Sequence, residues 1–353
     1  MSIPPHGPDR SSYARGVVLL LLAGTVWSMM GLGVRYIENA SPLQILLYRS
    51  LGMIPALALF IAWRHGGRLD RAVRQMGTPT ILGGLALVFA FCGSIVSLKE
   101  TTVANAVFLL ATAPFFAAIL GRIVLREKVR LTTWITILVG SFGIVIMVYD
   151  GLSAGKVVGN VAGLVCAVFF AVFTIAMRAE KHGDTVPAVL LGGIYASIAS
   201  GIAATVAGKP LVLAPMDAAI AVALGAGSLG FGLILYALAS RHVPAAESTL
   251  LAMTEVVLSP IWVWLILGET AGPLMLVGGG ILLAALLGNA IIGVVRERRM
   301  ARADERSAHV GQRHGNGHAA PHLARPVHPG LAGPRPVRYP AATASVQHRS
   351  FRR

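Results

Sequence analysis

The sequence predicts an all-α membrane protein: ten transmembrane helices built as two five-helix repeats of opposite orientation. Three observations lead there. The composition is too apolar for a soluble fold, ten apolar runs have spanning length, and the chain repeats itself with an odd number of spans per unit. The 353 residues are 55% hydrophobic and only 13% charged, and the mean hydropathy is +0.72. That balance leaves too little polar surface to cover a soluble body. The formal charge is +15, but the basic residues sit at the ends of apolar runs and in the last stretch of chain. They interleave with no aromatic residues, so no nucleic-acid partner is expected; the lipid bilayer is the partner.

A bilayer core about 30 Å thick needs about 20 helical residues, because each rises about 1.5 Å. Runs of that kind occupy 16–34, 42–63, 78–98, 102–124, 131–149, 157–177, 185–207, 214–239, 244–267 and 272–294. The first follows a polar segment, 1–15, and lacks a small-residue cleavage signature, so it reads as a retained span. The second, third and sixth carry Arg49, Cys92 and Cys166, the thiols acting as small hydrophobes. The fourth and ninth each hold a proline, Pro114 and Pro260, which frees a carbonyl and makes both hinge candidates. In the seventh, Gly193, Ser197 and Gly201 form a small-residue stripe suited to helix packing. Gly225, Gly227 and Gly230 in the eighth spell G-x-G-x-x-G, but no strand precedes them, so the dinucleotide match is chance.

Lys and Arg beside the spans set the orientation, since positive loops resist translocation. With the N-terminus inside, the inner segments hold eighteen and the outer ones four, namely Arg35, Lys99, Lys156 and Lys209. Both termini are therefore expected in the cytoplasm, with the protein multi-pass in the cell's inner membrane.

Residues 16–35 match 159–178 in length, in Gly16 with Gly159, in Trp27 with Phe170 and in the closing Arg35 with Arg178. Residues 97–128 align without gaps to 239–270. Each unit has five spans, so the second lies upside down relative to the first, an arrangement that places a binding site near mid-membrane between the halves. The corner LREKVR after the fourth span becomes LGETAG after the ninth, losing its positive charge where the topology requires it. The expected units are 1–15, a first repeat over 16–149, a second over 156–294, and a basic tail over 295–353 rich in Arg, His, Pro, Gly and Ala. That tail cannot bury a core and is expected to be disordered, drawn to anionic lipid headgroups rather than to a metal. His314, His318 and His322 are spaced four apart, but Gly315, Gly317 and Pro321 argue against the helix that a metal site would need.

APFFAAILGRIVLREKV and LLAMTEVVLSPIWVWLILGETAG resemble the EamA-type repeats of the drug/metabolite transporter superfamily, over roughly residues 16 to 294. Leu267, Gly268 and Glu269 match the Leu-Gly-Glu that closes such a repeat, whereas Leu125, Arg126 and Glu127 depart from it at Arg126. Ser28 after Trp27 stands where many members have Gly. The resemblance implies a basket of ten helices, the first four of each half around a central cavity and the fifth and tenth at the periphery. It also implies alternating access, commonly for export of amino acids or related small metabolites, with some relatives importing. A homodimer stays open as an assembly. No Walker A sequence is present, and no cofactor or metal is expected.

Arg49 is the first candidate for substrate binding or coupling, because an ionisable group inside a span costs about 2.5 to 3.5 kcal/mol and usually faces the protein interior. It either holds a substrate carboxylate or phosphate, or snorkels toward the outer interface or pairs with Glu38. Glu255, at the centre of the ninth span, either carries a proton or a substrate ammonium, or forms a structural pair with Arg49 or hydrogen bonds between helices. Glu247 lies nearer the inner end of that span. Its repeat counterpart Asn105 either donates to substrate or bonds between helices. Trp27, Phe170 and Tyr236 are aromatic wall candidates, with Trp27 and Phe170 facing one another. An intramembrane enzyme would need nucleophile, acid and base converging in the membrane. The histidines lie outside the spans or at their edges, which speaks against that class, and a scaffold without a polar cavity is the third alternative.

Overall fold

The computed structural model describes residues 10–64, 66–67, 76–127, 129–153, 155–180 and 185–315. Within them ten helices are long and apolar enough to cross a membrane. We number them α1 (Arg10–Arg35), α2 (Pro42–Arg64), α3 (Thr78–Glu100), α4a (Val103–Leu110) with α4b (Ala113–Val124), α5 (Leu131–Ser153), α6 (Val157–Ala179) and α7 (Val186–Val206). The eighth span is α8a (Pro215–Ala223), a π-helical segment (Leu224–Phe231) and α8b (Gly232–Ala239). Two pieces, α9a (Ala245–Ala252) and α9b (Thr254–Leu267), form the ninth, and α10 (Pro273–Gly315) closes the series.

Two boundaries differ from the sequence expectation. Helix α1 begins at Arg10 rather than at the first apolar residue. Helix α10 runs on to Gly315, which corrects the expectation that the chain is structureless from 295. RERRMARADERSAHVGQR is rich in Arg, Glu and Ala and free of proline, so helix propensity extends the span beyond its apolar part. The rest of the expected tail, with His318 and His322, lies outside the described residues, as do the basic loop positions Arg68, Arg71, Arg74, Lys128 and Lys181. The contact pattern sets Met1–Met300 apart from Ala301–Arg353.

Within Met1–Met300 the broadest helix interfaces join one repeat to the other. Helix α3 packs on α6 and α7, α2 on α7 and the π segment, α1 on α8b and α9b, and α6 on α4a and α4b. These form symmetry-related sets: α1 on α8 and α9 mirrors α6 on α3 and α4, and α2 on α8 mirrors α7 on α3. Neither half covers its own inward faces, so the interior exists only when both are present. A large buried cluster, with Met53, Leu57, Phe60, Leu87, Phe91, Cys166 and Phe173 among its members, draws on α2, α3, α6 and α7. Helices α5 and α10 pack on each other, Gly143 against the Gly278 carbonyl, while Leu138 and Phe142 of α5 face outward, 74% and 62% exposed.

The crossing of α2 and α8 is the tightest. A Cβ at Gly225 would overlap the Arg49 carbonyl, and one at Gly52 would overlap the Val222 carbonyl. Gly225, one of the three glycines that spell a nucleotide motif by chance, thus lets two backbones touch, together with Gly52. The π geometry there is a local widening of the helix, a form found mostly as bulges at functional sites. Gly225→Ala should cost about 1 to 3 kcal/mol by overpacking, whereas Gly227→Ala, in the same segment but with open space around the added atom, should be neutral. Thermal melts of the two variants in detergent read the difference.

Candidate functional site

The fourth and ninth spans are both interrupted. Helix α4a ends at Leu110, Ala111 and Thr112 turn, and α4b begins with Pro114 in its first turn. Pro114 therefore loses no hydrogen bond, since the first N–H groups of a helix have no partner within it. In the ninth span the break falls at Met253, and Pro260 sits inside the unbroken α9b. Both breaks use one device: the Thr112 hydroxyl donates to the Leu109 carbonyl at 2.6 Å, and the Thr254 hydroxyl donates to the Leu251 carbonyl at 2.7 Å. These residues are counterparts in the gap-free repeat alignment. The Leu109 carbonyl also accepts the Thr112 N–H at 3.1 Å, so the hydroxyl adds a second donor where the regular ladder is interrupted.

Glu255 stands in the first turn of α9b, where its negative charge complements the half-helix dipole. Arg49 projects from α2 into the protein and is 2% exposed. Its guanidinium lies 4.9 Å from the centre of the Phe91 ring of α3. Cys92 and Cys166 are within electrostatic reach of it, and Cys166 is also within reach of Glu255. Arg49 neither snorkels nor pairs with Glu38. Its Nε and Nη2 are buried and meet no hydrogen-bond acceptor among the described residues. No ion pair joins it to Glu255 either. Among the described residues Arg49 and Glu255, a cation and a carboxylate from opposite repeats, thus both lie inside spans without an ion pair between them.

Nε and Nη2 form one edge of the guanidinium, a fork that fits the two oxygens of a carboxylate. Arg35 uses that same edge on Glu269, through Nε at 2.7 Å and Nη2 at 3.2 Å.

The remaining candidates lie apart from this pair. Asn105 is fully buried and donates to Thr101 Oγ1 at 2.9 Å and to Asn160 of α6. Glu247, at the other end of the bundle, accepts from the Tyr13 hydroxyl at 2.6 Å. Both thus make interhelical hydrogen bonds at equivalent repeat positions. Trp27 finds Tyr236 as its ring neighbour, 5.7 Å between centres, rather than Phe170, which packs on Phe173 of its own helix. Sequence reasoning missed Phe91, the break at Met253 and the bond from Trp262 Nε1 to Ser28 Oγ at 2.9 Å. A crevice of about 340 Å³ between α4a, α9b and α10 is lined mainly by apolar side chains with Glu269 at its edge, and Arg49 is not among them.

Residues 14–149 and 157–291 each match the EamA-like transporter family. The chain belongs to that family. Its two matched segments coincide with the two inverted halves of the bundle. The chain is 25% identical over 280 residues to the pseudopaline exporter CntI of Pseudomonas aeruginosa (strain UCBPP-PA14), covering 77% of this chain and 94% of that one. It is 26% identical over 264 residues to the uncharacterized transporter YdfC of Bacillus subtilis, covering 72% and 84%. An uncharacterized transporter of Helicobacter pylori (strain J99) is 23% identical over 198 residues, 55% of this chain, and the match spans only 65% of that relative's length. One solved crystal structure superposes over 82% of this chain and the whole of its own with a TM-score of 0.56 and 20% identity, which shows the fold. Family and relatives indicate a transporter rather than an enzyme.

Burying an uncompensated charge costs more than a well-packed apolar side chain of similar volume. Arg49→Met in this EamA-family chain should therefore raise the melting temperature in detergent, by the equivalent of about 1 kcal/mol or more. A residue held in a structural ion pair would show the opposite sign, and so a loss of stability in this variant would contradict the geometry described.

Proposed function

We propose that the protein is a secondary transporter of the cell's inner membrane that exports small, carboxylate-bearing polar metabolites by alternating access. The observation that carries this reading is the buried fork of Arg49, which meets no acceptor among the described residues and lies at the interface of the two inverted repeats, on the helix that crosses the π segment of α8. A substrate carboxylate entering there would gain two charge-assisted hydrogen bonds and neutralise a desolvated cation. Glu255, on the opposite repeat, serves a substrate ammonium or a coupling proton, and amino acids and related zwitterions satisfy both charges. Cytoplasmic termini follow from the eighteen against four Lys and Arg residues flanking the spans. Export is favoured by the relative named as an exporter; import of a similar metabolite is the alternative, separated by the sidedness of flux.

Purified protein in liposomes loaded with labelled amino acids and other carboxylates should release label faster than protein-free vesicles. Arg49→Gln should slow that release about thirtyfold or more, the effect of losing about 2 kcal/mol of buried charge pairing. Glu255→Gln should abolish the response to an imposed pH gradient if it carries the proton, or weaken binding of ammonium-bearing substrates if it does not. Equal leakage from protein-containing and empty vesicles across the panel would overturn the reading.

A further inference from the structure

The ends of the two repeats carry a second matched set of charges, remote from Arg49. At one end Arg35, closing α1, clasps Glu269, which follows α9b, through Nε and Nη2. Arg35 Nη2 also donates to the Thr101 carbonyl at 2.6 Å, and Glu269 Oε1 accepts the Val103 N–H at 2.8 Å. Four elements, α1, α9b, the end of α3 and the start of α4a, are tied at one point whose side chains are 22% exposed. At the opposite end the repeat counterparts meet as Arg178, closing α6, and Glu127, following α4b, with one contact at 3.1 Å between side chains 49% and 45% exposed. Exposed single contacts of that kind contribute little, whereas a partly buried two-pronged pair with main-chain partners holds.

The backbone supports the equivalence. Gly268 terminates α9b in the left-handed region at φ 66°, turning Glu269 back toward Arg35. Arg126 occupies the matching place before Glu127 at φ 55°, the one non-glycine residue with positive φ among those described. A left-handed arginine is disfavoured by about 1 to 2 kcal/mol, yet the turn is kept and Glu127 still reaches Arg178. The family motif Leu-Gly-Glu is thus a turn that aims a carboxylate at the arginine closing a helix of the other repeat.

We infer that these are two alternating latches of the transport cycle, Arg35–Glu269 fastened in the state seen here and Arg178–Glu127 fastened in the opposite one. This rests on the alternating-access reading above. The repeat alignment specifies the other state: Glu127 accepts the Ala245 N–H, the counterpart of Val103, and Arg178 donates to the Val243 carbonyl, the counterpart of Thr101. Opening one mouth releases four elements at that end and ties the equivalent four at the other, so a single motif used twice makes the two closures mutually exclusive.

Ala106→Cys, at a fully buried position in the helix whose Val103 N–H bonds Glu269, reports the latch's state in a background carrying Cys92→Ala and Cys166→Ala. In membrane vesicles of the full-length protein, Glu269→Gln should raise labelling by an impermeant maleimide from the Arg35 side about tenfold, as expected for losing one charge-assisted pair. Arg35→Gln should act alike and serves should the first variant fold poorly by its melt. Glu127→Gln should do the reverse, lowering labelling below the parent. Unchanged labelling in the folded Arg35 and Glu269 variants, or an increase with Glu127→Gln, would overturn the latch assignment. Labelling needs no substrate, so a parent protein that labels as expected but moves nothing would sink the transport reading instead.

Discussion

Lipid offers the main chain no hydrogen-bond partner, and the architecture follows from that constraint. Every span is helical, and the departures at 111–112, at Met253 and over the π segment lie where the two repeats pack together rather than where one faces lipid alone. Each break carries its own remedy: Thr112 and Thr254 return hydroxyl donors to the carbonyls of Leu109 and Leu251. The interruption at Met253 starts a fresh helix at mid-span, which places Glu255 in a first turn, the position where a half-helix best tolerates a carboxylate.

Inversion then makes one local design serve two ends. Arg35 with Glu269 and Arg178 with Glu127 share geometry and chain position, yet they differ in burial and in the number of bonds formed. Strict two-fold symmetry would make them equal, so the molecule is asymmetric in state while symmetric in topology. That difference is what an alternating machine requires, because a bundle with both ends equally fastened would occlude its centre permanently.

The two arginines also show why identity alone does not assign a role. Arg35 closes a helix and Arg49 lies inside one, and both present the Nε and Nη2 edge. In Arg35 that edge is filled by Glu269; in Arg49 it meets no hydrogen-bond acceptor among the described residues, and the centre of the Phe91 ring lies 4.9 Å from the guanidinium carbon. A filled fork stabilises a conformation, whereas a buried fork without an acceptor costs stability; in the function proposed above it is the edge that a substrate carboxylate would meet.

The ten spans, their order, their inverted pairing and the counterpart residues were legible in the chain, because hydropathy, length and repeat spacing are properties of each segment in its solvent. Arg49 and Glu255 stood out for the same reason: a charge in an apolar run is visible without knowing its neighbours. The sequence showed Arg35 matched to Arg178 and Glu127 matched to Glu269, but not that each arginine pairs with the glutamate of the other repeat. Nor did it show that Trp27 packs on Tyr236 rather than near Phe170, that Asn105 and Glu247 are spoken for by Asn160 and Tyr13, or that Gly225 lies under the Arg49 carbonyl. Such facts depend on which helices cross and at what height. The sequence alone determined that the chain crosses the membrane ten times as two opposed halves; only the tertiary structure decided which charges are satisfied, because satisfaction is a matter of a few ångströms between residues far apart in the chain.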